Sequence, residues 1–222
     1  MKIAVITGAS RGIGLAAAEK FLSEGWRVVA TARGGKLPIE NENLSVVVLD
    51  YEKAGSIAKA AGEIRRLAPE IRVVVNNSGV LVDHGKSEIR MDALRETLEV
   101  NLFGAVEFTN AILPLVAKGG HVINISSNLA TLGGPVPEAG GWLVPEYRIS
   151  KAALNMFTKV LAARAAKSGI AVSSLDPGWV RTEMGGAEAT RAPEEAAEDI
   201  YNLAIKKVPT GKFWSRGKER GW

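Results

Sequence analysis

The chain contains no cysteine and only two histidines, His84 and His121, in 222 residues. The missing thiols exclude a disulfide scaffold, a thiol nucleophile and any zinc site built on thiolates. Two histidines are too few for a multi-histidine metal centre, so no metal is expected. No apolar run approaches the roughly 18 residues of a membrane span. The opening residues Met1 to Ile6 carry one short apolar stretch that meets Thr7-Gly8 at once, without the longer run and cleavage site of a signal peptide. These absences predict a soluble, cytoplasmic protein with no membrane partner. Charge of one sign is scarce too. Lys+Arg 28 against Asp+Glu 24 leaves +4. The pI is about 9.3, but Lys206-Lys207 and the basic tail lack the interleaved aromatics of a nucleic-acid surface, so none is expected to bind. What remains is 46% hydrophobic and 23% charged, with 24 glycines. That is an ordinary globular composition, and the length fits a single domain over residues 1–222.

Short apolar runs alternate with helical stretches. Strands are expected at 3–6, 28–30, 46–49, 73–75, 121–125, 170–175 and 212–214. Consecutive apolar residues, as in Ile3-Ala4-Val5-Ile6, suit strands covered on both faces. Helices are expected at 13–24, 56–67, 91–98, 102–116, 147–166 and 193–207, with Gly25 as a C-cap signal and Pro193 in a first turn. The alternation predicts an α/β fold: a doubly wound, Rossmann-type parallel sheet of about seven strands with helices on both faces. The tail 216–222 reads as solvated coil.

Thr7-Gly8-Ala9-Ser10-Arg11-Gly12-Ile13-Gly14 falls where the first strand meets the first helix. Gly8, Gly12 and Gly14 leave out the Cβ atoms that would keep backbone N–H groups from a pyrophosphate, and the helix N-terminus favours the negative charge. Glycines also serve plain tight turns, but the flanking strand and helix favour a dinucleotide. NAD sites usually carry an acidic residue at the end of the second strand, for the ribose 2′-hydroxyl. Here that strand ends Val29-Ala30-Thr31-Ala32-Arg33. A guanidinium pairs bidentately with a 2′-phosphate, and Arg11 can reach the same group. NADP(H) is therefore expected in preference to NAD(H); a surface arginine after a strand is the open alternative for Arg33.

Tyr147 and Lys151 stand four apart, on one face of a predicted helix. Bringing a phenol from a pKa near 10 to about 7 takes ~4 kcal/mol of preferential phenolate stabilisation. An adjacent ammonium and a positively charged nicotinamide both act in that direction. Ser126-Ser127 closes the fifth strand, at the end facing the same crevice. Such a tyrosine–lysine pair also arises by chance on many helices.

The glycine turn, Leu49-Asp50, Asn76-Asn77-Ser78-Gly79, Val100-Asn101, Ile125-Ser126-Ser127, Tyr147-x-x-x-Lys151 and Asp176-Pro177-Gly178 occur in the order seen in short-chain dehydrogenases/reductases. The chain resembles that family over nearly its whole length. The stretches 147–155 and 177–186 resemble its C-factor/Sniffer-like carbonyl reductase branch. The resemblance implies that Tyr147 is the general acid protonating a carbonyl oxygen as hydride arrives from NADPH. It implies that Lys151 binds the nicotinamide ribose and lowers the Tyr147 pKa, and that Ser127, with Ser126 as fallback, orients the substrate. The Asn101 backbone would hold a water of the proton relay. Along the cofactor it implies Ser10 and Ile13 in the turn, Asp50 and Tyr51 at the adenine, and Asn77 and Gly79 at the adenosine ribose. Pro177, Gly178, Val180 and Thr182 would lie at the nicotinamide end. A small-molecule carbonyl or alcohol is the implied substrate, and a homodimer or homotetramer the implied assembly.

Three departures from the family pattern stand out. Ser78 replaces a common alanine, Tyr51 replaces an aliphatic residue, and Ser127 and Tyr147 are 20 apart, several more than is usual. The added residues read as a loop at the mouth of the site, rich in proline and glycine over 133–142. The segment between Thr182 and Pro193 is short, which predicts an open pocket for small or varied carbonyls. Trp142, Trp179 and Met184 are candidates for an apolar wall, with core packing as the alternative. His84 reads as a solvated loop residue and His121 as structural. A reductase is the expected function; the alternative is a cofactor-binding sensor of the same fold with little turnover.

Overall fold

The computed structural model describes residues 1–136 and 143–222. One sheet runs β3-β2-β1-β4-β5-β6-β7-β8, built from β1 (Ile3–Ile6), β2 (Arg27–Ala32), β3 (Leu44–Val48), β4 (Ile71–Asn76), β5 (Val116–Ile125), β6 (Ala171–Asp176), β7 (Lys212–Ser215) and β8 (Lys218–Arg220). The first seven pair in parallel; β8 pairs antiparallel with β7. The helices are α1 (Gly12–Ser23), α2 (Ser56–Leu67), α3 (Met91–Leu98), α4 (Gly104–Ile112), α5 (Pro145–Ala165) and α6 (Pro193–Ile205), with a π-helical turn, Glu99–Phe103, joining α3 to α4. Among the described residues no helix is long and apolar enough to cross a membrane.

The consecutive apolar residues of the strands feed two cores. Val5, Val29, Val74, Val122 and Val172 point to one face, where Ile57 and Ile64 of α2, Phe108 and Ile112 of α4 and Leu161 of α5 meet them. The alternate residues Ala4, Ile6, Val28, Val73, Ile123 and Leu175 point to the other, against Phe21 of α1 and Ile200 of α6. Burying each of these larger side chains contributes about 1.5–3 kcal/mol. The chain winds from β1 outward to β3, then restarts at β4 on the other side of β1. That reversal opens a crevice beyond the strand ends, where ligands of such sheets bind. Beneath it a buried polar chain ties the layers together: Asn76 Nδ2 donates to Asn124 Oδ1 (2.8 Å), Asn124 Nδ2 to Thr158 Oγ1 (2.8 Å), and Thr158 Oγ1 meets Ser174 Oγ at 2.8 Å.

Two expectations are corrected. The tail is not coil: it turns at Arg216-Gly217 and returns as β8, giving an eighth strand. Trp222 stacks on Phe213 with ring centroids 5.6 Å apart, which fixes the hairpin. The helix expected over 102–116 is shorter. It begins with the π turn and yields to a short 3₁₀ turn, Leu113–Leu115, and then to β5. Gly104 allows the close packing at its start, because a Cβ there would overlap the Tyr51 ring.

Candidate active site

The crevice is a cleft of about 940 Å³. At one end lies the glycine turn. Gly8 and Gly12 adopt φ of +65° and +58°, conformations that glycine reaches without strain. A Cβ on Gly8 would come 2.8 Å from Ser78 Oγ, and one on Gly12 3.0 Å from Thr182. The helix behind has no side-chain cap, so its first N–H groups are open to an anion. These features fit a pyrophosphate. Gly14 does not line the cleft. Its missing Cβ makes room for Gly8 O and Asn77 Nδ2, so it lets α1 pack on the turn. Asn77 Nδ2 in turn donates to Thr7 O (2.9 Å) and Gly8 O (3.1 Å), fixing the shape of the turn.

Arg11 and Arg33 stand on the rim, each 66% exposed in its side chain and each beside an acid that the order of residues does not foreshadow. Arg11 Nε is 3.1 Å from Glu183 and Arg33 Nη1 is 3.9 Å from Glu52. No carboxylate ends β2, as the sequence implies, but Glu52 approaches from beyond β3. Asp50 and Tyr51 line the same end of the cleft. Most of the Tyr51 side chain leaves it for the core against Phe108, because Gly104 offers the space.

The other end collects the predicted chemical groups. Ser127 follows β5 and Tyr147 and Lys151 share one face of α5; all three line the cleft. The Ser127 hydroxyl accepts the Leu129 N–H at 3.2 Å and acts on the Tyr147 phenol. Ser126 is committed elsewhere, donating to Asn155 Oδ1 at 2.7 Å. Lys151 is 3% exposed, donates to Ile125 O at 2.9 Å and lies 5.7 Å from the Tyr147 ring centroid. Asn101 lies behind the cleft in the π turn. It grips Val80 through both backbone groups, at 2.7 and 2.9 Å, and donates to Ser150 Oγ at 3.0 Å. Gly79 passes between Asn101 and Lys151, where a Cβ would come within 3.3 Å of the Lys151 Nζ. Pro177, Gly178, Val180 and Thr182 form the wall opposite. There Arg191 donates to Pro177 O and pairs with Asp199 at 2.8 Å, pinning the short segment after Thr182.

The electrostatics differ from the expectation in one respect. Burial pushes Tyr147 well above its ordinary value; Ser127 opposes this, while Asp176 and Asp83 push it further up. Burial pulls Lys151 down to about 8. In the protein alone the lysine does not bring the phenol toward neutrality, because its ammonium is desolvated and turned to the Ile125 carbonyl. Asp176 is held by the Gly178 N–H (3.1 Å), Ser215 Oγ (3.0 Å) and Arg220 Nη1 (3.1 Å), so the C-terminal hairpin reaches the base of the cleft. Trp179 and Met184, 40% and 39% exposed, both line the cleft. Trp142 and residues 137–141 of the mouth loop lie outside the described residues. His84 is exposed; His121 is buried and its Nε2 meets Ser173 Oγ at 2.9 Å. Among the described residues no cluster of His, Asp and Glu could hold a metal ion.

Residues 2–193 match the sequence profile of the family described as short chain dehydrogenase. The chain is 34% identical, over 93% of its length and 77% of the relative's, to the oxidoreductase BOA17 of Botryotinia fuckeliana. Its structure superposes on the NADPH-bound carbonyl reductase from chicken fatty liver with a TM-score of 0.90 at 25% identity, covering 100% of this chain and 94% of that one. The carbonyl reductase Sniffer of D. melanogaster superposes with a TM-score of 0.87 at 25% identity, over 100% and 99% of the two chains.

Proposed function

The chain belongs to the short-chain dehydrogenase family, and from that membership we propose that it is an NADP(H)-dependent carbonyl reductase with Tyr147 as its proton donor. As a family member it is an NAD(P)-dependent oxidoreductase. The choice of NADP(H) is supported by the NADPH-bound neighbour and by two cations, Arg11 and Arg33, on the rim beside the glycine turn. Carbonyl reduction is supported by the likeness to carbonyl reductases of full-length coverage. One observation carries the reading: Ser127, Tyr147 and Lys151 line one end of a cleft whose other end is lined by the glycine turn.

Bound NADPH supplies the hydride. The glycine turn and the α1 N-terminus hold the pyrophosphate, Arg11 and Arg33 the 2′-phosphate, and Asp50 with Tyr51 the adenine side. Asn77 and Gly79 flank the adenosine ribose, while Ser10, Ile13, Pro177, Gly178, Val180 and Thr182 complete the cradle. Ser127 holds the carbonyl oxygen of the substrate. Tyr147, kept protonated by its burial, donates its proton to that oxygen. Lys151 binds the nicotinamide ribose beside the phenol. Asn101 fixes the Gly79-Val80 turn through its side chain, and its backbone in the π turn holds the water that returns a proton; π turns recur at functional sites. The short segment after Thr182 leaves an open pocket that suits small or varied aldehydes and ketones.

NADPH oxidation over a panel of aldehydes, ketones, quinones and diketones tests this reading. Tyr147→Phe should lower kcat about 10²–10⁴-fold and leave NADPH affinity intact. Undiminished turnover in that variant would place the acid elsewhere.

A further inference from the structure

Two buried acids play no part in the proposed reaction. Asp83 and Glu146 are each 0% exposed. Asp83 lies on the segment 79–90, whose first residues, Gly79 to Val82, wall the cleft. Glu146 lies on the first turn of α5, next to Tyr147. The two reach across to each other's backbone. Asp83 Oδ2 accepts the Tyr147 N–H at 3.2 Å, and Glu146 Oε1 accepts the Arg90 N–H at 2.8 Å. Their remaining oxygens, Asp83 Oδ1 and Glu146 Oε2, are buried without a hydrogen-bond partner. Each carboxyl acts on the other's protonation, Glu146 raising Asp83 and Asp83 lowering Glu146. Two ionised carboxylates accept only, so these two orphaned oxygens can satisfy one another only when one of the acids carries a proton.

We propose that Asp83 and Glu146 share one proton and act as a positioning pair, clasping the cleft wall 79–90 to the first turn of α5 so that Tyr147 is held in place. A second feature shows how much this turn needs holding. Val144, just before Pro145, adopts φ 35°, a left-handed conformation foreign to a β-branched residue. Such strain persists where the surroundings over-determine it, and the two reciprocal bonds do so on both sides of Tyr147. Burial, then Glu146, raise Asp83. Burial also raises Glu146, but the Arg90 N–H and Asp83 lower it further. Both directions favour Asp83 as the protonated partner of the pair. The other groups bearing on the pair are Arg90, itself 3.8 Å from Asp92, and the Tyr147 phenol, which Asp176 also pushes up. His84 follows Asp83 on the exposed side. The raised Asp83 lends its support at lower pH and withdraws it as pH rises through its folded pKa. The lowered Glu146 withdraws its support as pH falls through its own. The clasp is firmest between the two, and alkali leaves two buried anions that repel.

Asp83→Asn separates this from a passive role. Its amide can donate to Glu146 and accept the Tyr147 N–H, a clasp that needs no proton. Amide hydrogen exchange of the full chain, corrected for intrinsic rates, is followed across mildly acidic to alkaline pH. In the wild type, protection of 79–90 and 143–151 should fall about tenfold or more at the alkaline end while β4 stays protected. In Asp83→Asn it should stay level, and in Asp83→Ala it should be low throughout. At neutral pH, Asp83→Ala should lower kcat about tenfold with NADPH affinity within about threefold of wild type, and Asp83→Asn should restore it. The proposal is overturned if Asp83→Asn follows the wild-type pH dependence, or if Asp83→Ala leaves protection unchanged. Should Asp83→Ala fail to fold, the comparison of Asp83→Asn with wild type decides alone. The kinetic arm rests on Tyr147 as acid. The exchange arm does not, so a chain without carbonyl turnover would sink the reductase reading and leave the clasp standing.

Discussion

Arg33 and Glu52 face each other at 3.9 Å with side chains 66% and 48% exposed. An ion pair this open and this long contributes roughly 0–1 kcal/mol, so a better anion displaces the carboxylate easily. A ribose 2′-phosphate, with a charge of about −1.5 to −2, is such an anion. A charge-assisted hydrogen bond to it contributes about 1.5–3 kcal/mol. Arg33→Ala should then weaken NADPH binding roughly 10- to 150-fold and NADH binding by less than about threefold. Glu52→Gln should act in reverse. A phosphate held by Arg33 would lie roughly 7 Å from the Glu52 carboxylate, and in water the repulsion would be about 1 kcal/mol before screening. Physiological salt roughly halves it. NADPH should therefore bind about two- to threefold more tightly to Glu52→Gln, more so at low salt, with NADH barely affected. Fluorescence titration of both cofactors at two salt concentrations measures this. Equal losses for NADPH and NADH in Arg33→Ala, or a Glu52→Gln effect that ignores salt, would refute the 2′-phosphate assignment.

Three further outcomes are expected. Because burial lowers Lys151 to about 8, its ammonium is lost as pH rises through that value. kcat/KM should fall above it, and Lys151→Arg, which keeps its charge, should remove that limb from the pH profile whatever activity remains. His121 is held near 4 against an ordinary 6.5, by burial. It stays neutral in the fold while the unfolded chain takes up a proton, so about 3 kcal/mol of stability present above pH 6.5 should be lost between there and pH 4. Urea titrations of the wild type and His121→Gln should differ by that slope. Gly104→Ala, which drives a methyl into the Tyr51 ring, should cost about 1–3 kcal/mol. Adding Tyr51→Val should recover most of that in the same assay.

The parallel sheet and the position of the cleft are legible because they rest on periodicity and on glycine. Consecutive apolar residues in β1 and β4 mean two covered faces, and Gly8 and Gly12 mark the turn between strand and helix. Strand ends and one helix face make Ser126-Ser127, Tyr147 and Lys151 candidates; only the resemblance to the family singles out Ser127 and joins the three as a set. What the sequence hides is polar and long-range. Lys218-Glu219-Arg220 has no apolar alternation, so β8 becomes a strand only through its pairing with β7 and the stacking of Trp222 on Phe213. Gly14 reads like its neighbours in the turn, yet it serves packing, which depends on where Asn77 arrives from far along the chain. Glu52, Glu183, Asp83 and Glu146 are ordinary acids in the sequence; only the fold sets them beside Arg33, Arg11 and one another.

The two margins of the sheet are unlike, and this bears on how the protein behaves when crowded. β8, at one margin, offers Lys218, Glu219 and Arg220, all exposed. Charges of that density discourage another chain from adding itself to the ladder. β3, at the opposite margin, reads Leu44-Ser45-Val46-Val47-Val48, with Val48 51% exposed. It has no such guard, so self-association on storage or heating would start there, on the far side of the molecule from the C-terminal hairpin.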